Sequence, residues 1–98
     1  MTVDANQLKE LHSIELELSQ IFEERRSLER HKIECEAAIQ ELENAPAAYK
    51  IIGSIMIAAK PADLLAETKT KNTTIANQLS NLQKREKELT ARHVVLMK

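Results

Sequence analysis

The fold of this chain is decided by the stretch Tyr49-Lys50-Ile51-Ile52-Gly53-Ser54-Ile55-Met56-Ile57 near its middle. Strand-forming residues stand on both sides of Gly53-Ser54, and glycine readily adopts the positive φ that two-residue hairpin turns need. The stretch therefore predicts a β-hairpin over residues 48–59. We expect one face of the hairpin to carry Tyr49, Ile51, Ile55 and Ile57, and the other to carry Ile52, Met56 and Ala58.

Both predicted faces of this hairpin are apolar. An isolated two-stranded hairpin is not stable in water, and its exposed edges invite pairing with other strands. We expect hairpins from several subunits to pair at their edges and close an intersubunit β-barrel. The predicted oligomerisation residues are Tyr49, Ile51, Ile52, Gly53, Ile55, Met56 and Ile57. The alternative is a hairpin that packs on the base of its own helices, which would leave its edges uncovered.

Two heptad repeats of matching length flank the hairpin. Facing positions are equally distant from Gly53-Ser54, so that Leu42 pairs with Leu65 and Leu11 with Leu96. This symmetry predicts a mainly α fold: a long antiparallel coiled-coil helical hairpin with helices at 4–44 and 61–97, in a single domain over residues 1–98. The first seam is Leu11, Ile14, Leu18, Ile21, Arg25, Leu28, Lys32, Cys35, Ile39 and Leu42, and the second is Leu65, Thr68, Asn72, Ile75, Leu79, Leu82, Glu86, Leu89, His93 and Leu96.

Polar residues interrupt the two seams at a few layers. By the predicted register, Arg25 lies one layer from Glu86, and an ion pair between them would specify how the helices align more than it would stabilise them. Cys35 faces Asn72, a polar layer that we interpret as a second register device and not as a binding site. No catalytic or metal-binding role is predicted for Cys35, because no base or ligand set stands near it.

Composition excludes several classes of function. The 98 residues carry a net charge of −1, so no basic excess attracts nucleic acid or a membrane surface. No apolar run is long enough to span a bilayer, and the first residues do not form a signal peptide. The single cysteine fits a reducing cytosol. Without a glycine-rich phosphate loop or metal-ligand spacing, we expect a cytoplasmic protein that is not an enzyme and needs no cofactor or metal.

The two ends of the chain offer more apolar side chains than the seam can use. In the predicted hairpin of helices these ends meet, and exposed apolar groups there suggest contact with another hydrophobic surface. The candidate contact residues are Val3, Leu8, Val94, Val95 and Met97; the family resemblance described below implies that such tips bind unfolded clients. The alternative is that these are frayed ends with incidental apolar residues.

The run Ala48-Tyr49-Lys50-Ile51-Ile52-Gly53, followed by the aliphatic strand Ile55-Met56-Ile57, resembles the hairpin motif of prefoldin β-type subunits. The mirrored heptads on either side extend the resemblance over essentially the whole chain. The chain has one predicted β-hairpin and in this it resembles the β-type subunits, since the α-type subunits have two.

This resemblance implies a heterohexamer of α-type and β-type subunits whose hairpins join into β-barrels. It implies a chaperone that works without ATP, captures unfolded proteins at its coiled-coil tips and delivers them to a group II chaperonin. The alternative function is a prefoldin-like scaffolding subunit of another complex, in which charged residues along the helices would bind folded partners.

Overall fold

The computed structural model describes residues 4–97. Its elements in chain order are α1 (Ala5–Glu43), β1 (Ala48–Ile52), β2 (Ile55–Ala59) and α2 (Pro61–Met97). The chain is thus mainly helical, with an antiparallel β-hairpin between two long helices, which confirms the predicted fold class.

Helix α1 begins at a capping box. The Asp4 carboxylate oxygen Oδ1 accepts a hydrogen bond from the Gln7 amide at 2.8 Å, and Gln7 Oε1 accepts one from the Asp4 amide at 3.1 Å. This reciprocal arrangement satisfies backbone donors that the first turn of a helix leaves unpaired. Asp4 is therefore the N-cap of α1.

Proline residues mark where α1 has ended and where α2 begins. Helix α1 stops at Glu43, before Pro46, because a residue that precedes proline is driven out of the helical region. Pro61 is the first residue of α2, a position at which the missing amide costs nothing. The Lys60 carbonyl accepts hydrogen bonds from the amides of Asp63 and Leu64, both at 3.1 Å, and so starts the helical ladder.

The contacts within the chain define two compact units. The first holds the described residues up to Leu28 and from Gln78 onward. In it, α1 and α2 run antiparallel around a core of buried side chains, which comprises Leu11, Ile14, Ile21, Leu89 and Leu96 with Leu18 and Leu82 packed against it.

The second unit is Glu29–Asn77 and contains the β-hairpin. Its buried residues are Cys35 and Ile75. Hydroxyl groups of Thr68, Thr70, Thr73 and Thr74 each donate to the carbonyl four residues earlier in α2. Such bonds compete with the helical ladder, so this stretch is helical in spite of a composition that favours the helix weakly.

All eight buried hydrophobic residues lie on the predicted seams. They are Leu11, Ile14, Ile21, Cys35, Ile75, Leu79, Leu89 and Leu96. The heptad pattern therefore identified the core correctly, and the division into a single domain stays a prediction.

Candidate functional site: the hairpin and the helix ends

The turn of the β-hairpin depends on its glycine. Gly53 has a φ of +62°, and Ser54 is not among the residues with positive φ. A positive φ at the first central position alone is typical of a type II′ turn, whose twist matches that of the flanking strands. Ile52 and Ile55 are therefore direct partners, followed by Ile51 with Met56 and Lys50 with Ile57.

This register corrects the predicted division of the hairpin faces. Directly paired residues share a face, so Ile51 and Met56 lie on one side while Ile52 and Ile55 lie on the other. The prediction placed Ile51 with Ile55 and was wrong, because a two-residue loop fixes which positions oppose each other. One face carries Tyr49, Ile51, Met56 and Ala58, and the other carries Lys50, Ile52, Ile55 and Ile57.

Residues 4–97 cover neither face of the hairpin. Its six large apolar side chains stay between 46% and 68% exposed, and they are Tyr49, Ile51, Ile52, Ile55, Met56 and Ile57. The face with Ile51 and Met56 borders an open groove against Leu42 and Leu64 of the same unit. The helices of this chain therefore leave both apolar surfaces available.

The two edges of the hairpin also carry unused backbone groups. Beside a two-residue loop the flanking residues exchange both of their hydrogen bonds, and pairs then alternate along the ladder. The outward-pointing amides and carbonyls consequently belong to Tyr49 and Ile51 on β1, and to Met56 and Ala58 on β2. Among residues 4–97, none of these four makes a backbone hydrogen bond to a turn, cap or helix.

An ion pair ties the hairpin to α2. The Lys50 ammonium lies 3.2 and 3.3 Å from the two carboxylate oxygens of Glu67. Because Lys50 belongs to the central strand motif, this contact sets how β1 is presented beside α2 in the second unit.

The predicted client-binding residues lie in the first unit, where the described part of the chain covers all but one of them. Leu8, Val94, Val95 and Met97 are all exposed, whereas their neighbour Leu96 is buried in the core. Val3 lies outside the described residues.

The predicted register residues have different outcomes in the structure. Arg25 Nη1 donates to both carboxylate oxygens of Glu86 at 3.0 Å, so the structure brings this pair together. Cys35 is buried, and Asn72 has a buried side-chain oxygen that accepts no hydrogen bond from any group between residues 4 and 97. His93 Nε2 lies 3.2 Å from Glu15 Oε1.

The sequence reading missed two ion pairs beside the seam. Arg92 Nε and Nη2 bind the Glu10 carboxylate at 2.7 and 3.1 Å, and Arg85 binds Glu17 at 2.9 and 3.2 Å. The hydrogen bond from Arg92 lowers the pKa of Glu10, and the same bond raises the pKa of Arg92. The sequence does carry a signal for these pairs, because the two glutamates are seven residues apart and so are the two arginines.

No cluster of His, Cys, Asp or Glu between residues 4 and 97 could hold a metal ion. No helix in that range has the length and apolarity that crossing a membrane requires.

Comparison with known proteins accounts for this geometry. The sequence profile of the family described as "Prefoldin subunit" matches residues 5–94. The chain belongs to the prefoldin family. It is 29% identical over 90 residues to prefoldin subunit beta of Methanothrix thermoacetophila, an alignment that covers 89% of this chain and 75% of the relative.

A solved structure shows the same fold. The crystal structure of the prefoldin beta subunit from Thermococcus strain KS-1 superposes with a TM-score of 0.84 at 22% identity, over 98% of this chain and 90% of that one. Membership of the prefoldin family gives this chain a chaperone-type role, assembly with other subunits into a prefoldin complex, and no enzymatic activity.

Proposed function

We propose that this chain is a subunit of an ATP-independent holdase, which captures unfolded proteins at the ends of its helices and delivers them to a group II chaperonin in the cytoplasm. The observation that carries the proposal is the exposure of Leu8, Val94, Val95 and Met97 in the unit that contains both described ends of the chain. Monomeric soluble proteins rarely leave apolar groups clustered without a partner.

The hairpin would supply the assembly on which such binding depends. Its exposed faces and free edges fit strand addition by other β-type and α-type subunits, with Tyr49, Ile51, Ile52, Ile55, Met56 and Ile57 in the interface and Gly53 at the turn. In a heterohexamer several sets of helix ends would engage one client at once. Multivalency raises overall affinity without a deep pocket at any single end.

The flexible chemistry of the end residues suits a client of undefined sequence. Methionine is unbranched and polarizable, so Met97 can adapt to irregular apolar surfaces. Leu8, Val94 and Val95 add aliphatic contact area without charge.

The test uses the complex reconstituted with an α-type subunit and a chemically denatured client that aggregates on dilution. A variant with Leu8, Val94, Val95 and Met97 all changed to Ser should assemble normally by native mass spectrometry and lose most of its suppression of aggregation. A hairpin variant, I51K with I55K, should fail to assemble.

A scaffolding subunit would respond differently. Reversing the charges of Glu23, Glu24 and Arg30, which line α1 outside the seam, should leave holdase activity unchanged. Retained suppression in the four-serine variant, or its loss in the charge-reversed one, would contradict the holdase proposal and favour the scaffold.

A further inference from the structure

The two flanks of the coiled coil in the first unit differ in chemistry. One of them, which we call the salt-bridged flank, is closed by the Glu10–Arg92 and Glu17–Arg85 pairs. The two glutamates are seven residues apart on α1, and so are the two arginines on α2, so the pairs repeat at one heptad position. Any ligand on this flank would have to displace charged groups that already bind each other.

The opposite flank is located by the contact between Glu15 and His93 at 3.2 Å. Leu8 and Phe22 stand seven residues before and after Glu15, so all three share one heptad position on α1. Val94 follows His93 on α2. We call this side the apolar flank, and its residues are Leu8, Phe22, Thr90, Val94 and Met97.

The apolar flank is open to solvent along its length. Phe22 and Val94 are each 48% exposed, and a shallow hollow on α2 is lined by Thr90, Ala91 and Val94 together with Glu86 and Lys87. The guanidinium of Arg26 lies 5.8 Å from the centre of the Phe22 ring, a distance at which cation and ring attract each other. Phe22 thus has a cationic neighbour and still leaves about half of its surface open to solvent.

We propose that an extended, uncharged apolar segment of an unfolded protein lies lengthwise along the apolar flank, with Phe22 as its contact farthest from the helix ends. This inference rests on the proposed holdase function and deepens it. It adds Phe22 to the client-binding residues.

The dimensions of the flank favour an extended segment. Leu8 and Phe22 are separated by about 21 Å along α1 at ~1.5 Å per residue, a length that about six extended residues match at ~3.3 Å each. A strip roughly 10 Å wide then offers on the order of 200 Å², far below the ~800 Å² per partner of a stable interface between folded proteins. A second copy of this chain would therefore not be held by this flank alone.

Charges of both signs border the flank. Glu15 lies 3.2 Å from His93 and Arg26 lies over the Phe22 ring, while Glu86 and Lys87 line the hollow. A strongly acidic or strongly basic segment would therefore meet like charges as well as opposite ones, whereas an uncharged apolar segment avoids that repulsion.

Matched glutamine variants test the proposal in the reconstituted complex. F22Q and V94Q each change the flank, whereas L16Q changes an apolar residue of α1 that is 54% exposed and lies off it. Gln is a good helix former, and thermal unfolding followed by circular dichroism checks that each variant is folded. We expect F22Q and V94Q to bind a fluorescently labelled, denatured client about ten-fold more weakly, with L16Q unchanged.

Site-specific photo-crosslinking gives a readout that does not depend on the stability of F22Q. A benzophenone side chain at position 22 should crosslink to a neutral apolar peptide, and one at position 16 should not. Equal weakening by all three glutamine variants would overturn the flank and leave the holdase proposal standing. If none of the three binds more weakly and the four-serine variant also binds normally, both proposals fail. If F22Q changes subunit assembly in the absence of client, the flank is a contact between subunits and the inference is overturned.

Discussion

Arg25 and Glu86 are 61 positions apart in the chain, and the guanidinium of one binds both carboxylate oxygens of the other at 3.0 Å. Both residues occupy seam positions that an apolar side chain would normally fill. Their side chains keep 28% and 34% of their exposure, so water partly screens the pair. We expect the contact to favour one alignment of α1 against α2, because a slip by one heptad would place each charge against a different layer.

Replacing one member of this pair should lower the free energy of unfolding more than replacing both. E86L removes both hydrogen bonds to Arg25, and we expect it to lower the free energy of unfolding by about 1–2 kcal/mol. The double variant R25L/E86L forms an apolar layer and should be neutral or more stable. Urea unfolding at one fixed subunit concentration measures both values.

The Lys32–Glu36 contact is the control for the double-mutant cycle of Arg25 and Glu86. It is exposed, lies within one helix and spans 3.9 Å, so its coupling energy should stay below about 0.5 kcal/mol. A coupling between Arg25 and Glu86 as small as this would show that the pair contributes nothing measurable to alignment.

Much of the fold followed from the sequence because it depends on local spacing. Heptads identify a seam wherever apolar residues repeat, and the symmetry about Gly53-Ser54 then pairs the layers. The division of the hairpin faces was mispredicted, because it depends on whether the loop has an even or an odd number of residues and not on composition. Phe22 was missed since it belongs to neither seam, and its significance comes from the contact of Glu15 with His93, which only the folded chain reveals.

The series of ion pairs on the salt-bridged flank should extend by one step. Seven residues beyond Glu17 stands Glu24, and seven before Arg85 stands Gln78. Q78R should therefore place a guanidinium opposite Glu24 and raise the free energy of unfolding by about 0.2–1 kcal/mol at low salt. N77R adds the same charge one position around the helix and should give no gain. An increase that persists in 1 M NaCl, where the Debye length is about 3 Å, would mean that the gain is not electrostatic.

The Glu10–Arg92 pair predicts how stability depends on pH. The pKa of Glu10 lies below its usual value of 4.5, chiefly because of the hydrogen bond from Arg92. The unfolded chain therefore binds the proton first as pH falls, so the contribution of the pair is complete above the usual pKa and is lost as pH falls toward the lower folded value. The free energy of unfolding should therefore fall less steeply between pH 6 and pH 3 in E10Q than in E23Q. E23Q is the control because it removes an exposed carboxylate elsewhere on α1. Equal slopes would contradict the assignment.

Replacing the turn residue Gly53 should reduce assembly. No atom lies within 4 Å of the position that a Cβ would take, so a side chain there meets no steric obstacle except its own backbone. At a φ of +62° the G53A variant still pays a conformational cost of about 1–2 kcal/mol. We expect native mass spectrometry to show less assembled complex for G53A at low subunit concentration and no change for S54A. Normal assembly of G53A would mean that the hairpin can form another turn.

Asn72 gives the opposite prediction, a gain in stability on removal of a polar group. Its side-chain oxygen is buried and accepts no hydrogen bond from the residues that the structure describes, and an unsatisfied buried acceptor costs about 1–3 kcal/mol. N72L replaces this group with an apolar side chain at a seam position of α2, so the midpoint of urea unfolding should rise. N77L makes the same exchange at an exposed position of α2 and should not raise it. Because N72L leaves Arg25 paired with Glu86, it should keep the same crosslinks between α1 and α2 as the parent chain. A second set of crosslinks would instead show that Asn72 is needed to specify register.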